Sequence, residues 1–174
     1  PRVATAALLA LAWSAAPAAG ADNEWTWISG FDGINSNGVY STKGVPAAGN
    51  VPGGRHSSVS WIDASGNLLL FGGTGFDSGG SFGRLNDLWR YEIDTGLWTW
   101  MGGATGRWQP GVYGDMGVPD AANVPGARTS AISWTGAAGD LWLPVGYDQR
   151  QRVEVADYLA RVPASAPPPG SSGY

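Results

Sequence analysis

The chain contains no cysteine, one histidine and two methionines among its 174 residues. Without cysteine there is no disulfide scaffold, no thiolate-held zinc or iron–sulfur centre and no thiol nucleophile, and a single histidine rules out a multi-histidine metal site within this chain. Charge is scarce as well: charged residues make up 14%, and ten Lys and Arg against 14 Asp and Glu give a formal charge of −4. The basic residues are scattered, so no positive field draws in a phosphate backbone, and nucleic acid is not an expected partner. Sustained helical periodicity is missing, and 28 Gly with 12 Pro exclude long helices or a coiled coil.

What is present is apolar and aromatic. Hydrophobic residues reach 43%, too many for a disordered chain and enough for one ordinary core, and ten of them are Trp. Trp brings a large rigid surface that sheets accommodate better than tight helix bundles. The expected fold class is all-β.

At the front, Arg2, the apolar stretch 3–13 and the small-residue run 14–21 have the layout of a secretory signal peptide. Ala19-Gly20-Ala21 fits the small-x-small cleavage pattern, so residues 1–21 are expected to be removed and the mature chain to begin at Asp22. The apolar stretch is about half the ~20 residues that a helix needs to cross a bilayer. The expectation is therefore a secreted, periplasmic or extracellular protein with no stable membrane span.

The strongest organisational signal is a repeat at an offset of 73 residues. Trp25-Thr26-Trp27 recurs as Trp98-Thr99-Trp100, Gly38-Val39-Tyr40 as Gly111-Val112-Tyr113, and Asn50-Val51-Pro52-Gly53 as Asn123-Val124-Pro125-Gly126. Arg55, Ser57, Ser60 and Trp61 likewise meet Arg128, Ser130, Ser133 and Trp134, without a gap. Repetition at a fixed period implies stacked units that bury their faces on one another. One unit reads as four short strands: 57–62, closed by Asp63-Ala64-Ser65-Gly66; 67–71, ended by Gly72-Gly73; 87–92; and 97–101 after Asp94-Thr95-Gly96.

These residues resemble the kelch repeat of exported bacterial proteins. Phe71-Gly72-Gly73 looks like its apolar-Gly-Gly signature, the run Leu85-Asn86-Asp87-Leu88-Trp89-Arg90-Tyr91 resembles its third-strand segment, and Trp98 resembles the Trp that ends each repeat. The resemblance implies a partial kelch-type β-propeller over residues 22–143, with one complete four-stranded blade and parts of its neighbours. The period exceeds the usual kelch length of ~50 residues because residues 30–54 and their copy 103–127 are inserted between blades. Recurring Gly, Pro and Asn give these inserts a defined turn path, and long inter-element loops are places for binding.

The repeat stops after Leu143. Pro144-Val145 stands where Phe71-Gly72 stood, and no counterpart of residues 85–91 follows. Residues 149–161 are charged with a weak helical rhythm, and residues 164–174 form a Pro-, Ser- and Gly-rich tail. The expectation is that residues 144–174 lie outside the repeat, as after truncation or a shifted reading frame. Open sheet edges would then make the chain marginally stable or self-associating.

Galactose oxidase shares the kelch-type propeller, but the copper site that this resemblance implies needs two His and a Tyr crosslinked to Cys, which this composition cannot supply. Arg55 and Arg128 recur at one place in the unit, suited to pin a loop through carboxylates or carbonyls, with an acidic ligand as the sharper alternative. His56 faces Thr129 in the copy and reads as structural or exposed. Asp77 and Asp87 near residues 79–83 lack the spacing of a calcium loop. No catalytic residue, metal site or cofactor site stands out. Trp108 offers either packing or a surface on which sugars stack. The expected function is a non-catalytic scaffold that binds a protein or a glycan through inter-blade loops. The alternative is a truncated or frame-disrupted remnant of a galactose oxidase-like enzyme.

Overall fold

The computed structural model describes residues 25–137 and 139–143, together with strands at 146–147, 153–154 and 160–162. The expected signal segment 1–21 and the tail 164–174 lie outside the described residues. Within them the protein is all-β and contains no helix, so none is long and apolar enough to cross a membrane.

The first sheet is antiparallel and has the order β1 (Arg55–His56) and β2 (Val59–Ile62), both on β3 (Leu68–Phe76), then β4 (Phe82–Glu92) and β5 (Leu97–Gly102). Each connection is a turn whose chemistry is local. Asp63 accepts the amides of Ser65 and Asn67 on one carboxylate oxygen, both at 2.9 Å, while Gly66 takes φ 84°. Gly96, at φ 69°, closes the β4–β5 turn on the Glu92 carbonyl at 2.8 Å.

Two boundaries differ from those read in the sequence. Gly72-Gly73 does not end the second strand; it forms a bulge within β3, between Phe71 and Gly73, and the ladder resumes through Thr74, Gly75 and Phe76. Opposite the bulge, the inner strand breaks into β1 and β2 at Ser57, which is left-handed at φ 55°. Likewise β4 starts at Phe82 rather than Asp87, because Gly83 and Arg84 continue the pairing with Gly75 and Thr74.

The second sheet has the order β6 (Trp134–Thr135), β7 (Leu141–Leu143) and β10 (Ala160–Val162), again antiparallel. Its register repeats the first: Trp134 pairs Trp142 and Thr135 pairs Leu141, as Trp61 pairs Leu69 and Ile62 pairs Leu68. The third place in the sheet, which the sequence leaves without a counterpart of residues 85–91, is filled by β10 on the far side of β7. Where described, the segment with helical rhythm is therefore extended. It forms β10 and β9 (Val153–Glu154), which pairs with β8 (Gly146–Tyr147).

One apolar seam joins the two sheets. Val59, Trp61, Leu69 and Phe71 of the first pack with Leu141 and Leu143 of the second, and Leu88 and Ala131 lie against them. This is the burial that the alternation in β2 demands, with Val59 and Trp61 inward and Ser60 and Ile62 outward. By contrast, Trp25-Thr26-Trp27 belongs to no strand, and Trp25 is fully exposed. The identical Trp98-Thr99-Trp100 is a strand because β4 lies beside it, which is tertiary context deciding local structure.

Candidate functional site

The repeat sets the same backbone path twice. Left-handed φ values recur at Gly44 and Gly117 (77° and 83°), Ser57 and Ser130 (55° and 53°), and Gly66 and Gly139 (84° and 83°). In the inserted loops, Val39 bridges Val51 and Val112 bridges Val124, each through a reciprocal pair of main-chain bonds. Both inserts are thus built turns. The first folds back on the outer edge of its sheet, where Gly44 N–H donates to the Trp100 carbonyl at 2.8 Å and Ala47 N–H to that of Trp98 at 3.3 Å.

That loop also delivers Tyr40 to the buried centre of the unit. Asp87, fully buried, accepts from both terminal nitrogens of Arg55 (each 2.7 Å), from the Tyr40 hydroxyl (2.7 Å) and from Trp89 Nε1 (2.6 Å). Arg55 uses two further donors on backbone carbonyls, Nε on Gly53 at 3.0 Å and Nη1 on Gly72 at 3.1 Å. Burial would lower the Arg55 pKa, but the adjoining Asp87 carboxylate outweighs it and raises the value. The Tyr40 phenol is pushed well above its ordinary range, by burial first and then by the Asp87 charge. At neutral pH the node is an arginine–aspartate pair capped by a neutral phenol, with one donor on Asp87 Oδ1 and three on Oδ2. Its chemistry is fastening: it ties a loop, two strands and the bulge together.

The other repeat landmarks surround this node. Phe71 lies in the seam, Leu85 and Trp89 are fully buried, and Tyr91 pairs with Trp98 with ring centroids 5.0 Å apart. Asn86 joins successive units: its Oδ1 accepts from Ala104 N–H at 3.1 Å, and its Nδ2 donates to the Pro125 carbonyl at 3.2 Å. Arg128 enters main chain first. Its carbonyl accepts from Gly73 N–H at 2.9 Å and its own N–H donates to Leu85 at 3.1 Å. A Cβ on Gly72 would stand 2.9 Å from that Arg128 oxygen, which is why the double glycine is needed. The Arg128 side chain copies the Arg55 bond to the loop, Nε to Gly126 at 3.0 Å. Among the described residues no carboxylate pairs with it, and Ala160 is the counterpart of Asp87 by the offset.

Asp77 serves its own turn. Its Oδ1 accepts the amides of Gly79 and Ser81 at 2.9 and 2.8 Å, and its Oδ2 accepts that of Arg107 at 3.2 Å. Burial raises its pKa, but these amides and the Arg107 charge together bring it below the usual value. The sequence reading missed Tyr40 as a partner of Asp87. The recurrence of Gly38-Val39-Tyr40 marks the position, but nothing local ties it to a residue 47 places on.

Rings are exposed where the β3–β4 hairpin ends. Phe82 is 53% exposed, with its ring 5.1 Å from Phe76 and 6.3 Å from His56. On the adjoining loop, Trp108 is 37% exposed, with the Arg84 guanidinium 5.5 Å from its ring centre. Trp108 is left-handed at φ 60°, a conformation that suits its counterpart Asn35 (φ 58°) and costs a bulky side chain. It fits because Gly83 leaves room: a Cβ there would meet the indole Nε1 at 2.7 Å.

Compared with protein-family models and with curated proteins, the chain finds no match to either.

Proposed function

We propose that the chain is part of an exported kelch-type β-propeller that acts as a non-catalytic interaction scaffold, with its contact surface at the loops between units. Support for the propeller comes from two antiparallel sheets that repeat one register at one offset and share one apolar seam. The observation that carries the function is Trp108. Its repeat counterpart is an asparagine well suited to the left-handed turn, yet an indole stands there, strained and partly exposed, beside the Arg84 guanidinium. A rigid aromatic face with an adjoining cation suits either a sugar face or an apolar side chain of a protein partner.

Trp108→Asn is the informative variant, since the first unit already carries Asn at this turn. It is expected to fold with an unchanged far-ultraviolet spectrum. The test is a titration of the chain with a panel of soluble neutral oligosaccharides, followed by tryptophan fluorescence, alongside capture of extracellular proteins on the immobilised chain. Binding in either arm that Trp108→Asn weakens about tenfold or more supports the reading. Binding that the variant leaves intact, or binding in neither arm, overturns it.

A further inference from the structure

The loop at residues 36–54 is a clasp for a strand, and the strand that it holds has a known sequence. Gly44 N–H and Ala47 N–H donate to the carbonyls of Trp100 and Trp98, and Asn50 Nδ2 adds a bond to the Trp98 carbonyl at 3.0 Å. Asn50 is buried and aimed by its own loop, because its Oδ1 accepts both the N–H and the hydroxyl of Ser41, at 2.8 and 2.7 Å. The clasped segment is Trp98-Thr99-Trp100.

The copy of this clasp has the same internal geometry. Gly117 repeats the left-handed φ of Gly44, Val118 N–H closes on Asp115 as Val45 closes on Thr42, and Asn123 N–H closes on Asp120 as Asn50 closes on Ala47. Asn123 Oδ1 accepts Gly114 N–H at 2.8 Å, and its Nδ2 points along the same path to the Val118 carbonyl. Among the described residues, however, no strand lies in the second clasp. Val112, Met116 and Val118 are exposed around it, Met116 completely.

The matching tripeptide is also present, with no strand partner among the described residues. Trp25-Thr26-Trp27 is identical to the clasped tripeptide and stands exposed, and among the described residues its one side-chain bond is the local one from the Trp27 indole to the Ser29 carbonyl. We propose that Trp25-Thr26-Trp27 of a second copy of this chain docks as a strand in the clasp formed by Gly117, Asp120 and Asn123. Two of its carbonyls then accept the Gly117 and Asp120 amides, as those of Trp98 and Trp100 accept their counterparts. The interface is heterologous, with one end of a copy meeting the other end of the next, so it propagates into chains of copies or closes into a ring. It draws on the loop geometry and not on the partner reading of Trp108.

Sedimentation velocity of the full chain across a concentration series, with hydrogen exchange at the Gly117 and Asp120 amides, tests this. The expected result is association that grows with concentration and protects both amides in step. A synthetic peptide spanning residues 22–30 is expected to protect the same amides and to break up the assembly. Trp25→Ala with Trp27→Ala, two changes at exposed positions outside every strand, is expected to weaken association about 100-fold. Its thermal midpoint at high dilution should match that of the unaltered chain, which keeps loss of docking separate from loss of fold. A chain that stays monomeric, a peptide that leaves the two amides unprotected, or protection independent of concentration, as when the tripeptide closes on its own chain, overturns the proposal.

Discussion

At the scale of single residues, the molecule depends on one charged node that it cannot lose by halves. Removing Asp87 leaves the Arg55 guanidinium buried without its counter-charge and strips an acceptor from Tyr40 and Trp89. Asp87→Ala is therefore expected to destabilise the fold by about 3–5 kcal/mol, measured by urea unfolding. Tyr40→Phe removes one hydrogen bond and is expected to cost about 1 kcal/mol at neutral pH. The two variants differ in kind, since the second leaves the ion pair whole.

Tyr40 also gives the node a pH dependence of defined sign. Its phenol is harder to ionise in the folded chain than its ordinary value of 10.0, so the neutral form binds its proton more tightly folded than unfolded. That contribution is complete below pH 10 and is lost as the pH rises beyond it. The stability advantage of the unaltered chain over Tyr40→Phe should shrink steadily above pH 10 in paired urea titrations. An advantage that stays constant to pH 12 would show that the phenol titrates freely.

At the scale of strands and turns, the double glycine is the element most sensitive to a single methyl group. Gly66 and Gly72 are both left-handed, but a Cβ on Gly66 meets open space, whereas one on Gly72 meets the oxygens of Arg128 and Leu85, each at 2.9 Å. Gly66→Ala is expected to cost about 1–2 kcal/mol, the conformational penalty alone. Gly72→Ala should cost more by a further ~1–3 kcal/mol, because two backbones must separate. Equal losses in thermal melts of the two variants would remove the close approach as the reason for the glycine.

Elements were also where the sequence was most and least legible. Alternation placed β2 and β5 within two residues of their ends, and the repeat offset of 73 residues is kept in the register of β6 on β7, which copies that of β2 on β3. The same glycines misled at β3, since Gly-Gly marks a strand end and a strand bulge with the same letters. The segment 149–161 showed a faint helical rhythm, but residues 153–154 pair with β8 and residues 160–162 with the free edge of β7, since strand pairing outweighs a weak local preference. Within the node, Arg55 was legible through its copy at Arg128. Its carboxylate partner and the phenol were not, because that pairing is a contact between distant parts of the chain.

For the whole molecule, the seam makes the two sheets one cooperative unit. Leu143 belongs to the second sheet, yet it is buried against residues of the first, so Leu143→Ala is expected to cost about 2–5 kcal/mol and to loosen the environment of Trp61 as well. Tryptophan fluorescence and far-ultraviolet circular dichroism should lose their signals together in that variant. Separate transitions would mean that the sheets are joined only in sequence. Because assembly stabilises whatever it binds, the thermal midpoint of the unaltered chain should also rise with protein concentration.

The joint between units has a consequence for how such a chain tolerates change. Its bonds run from the Arg128 main chain to Gly73 and Leu85 and from Ser130 N–H to the Ser57 carbonyl at 3.0 Å, so most of the splice is blind to side-chain identity. Substitutions can accumulate at solvent-facing positions of both modules while the splice persists, provided that the two glycines, Asn86, the Arg55–Asp87 pair and the apolar seam stay. A designer extending the array would be free to insert whole 73-residue cassettes at this point and vary their solvent-facing letters while keeping those groups.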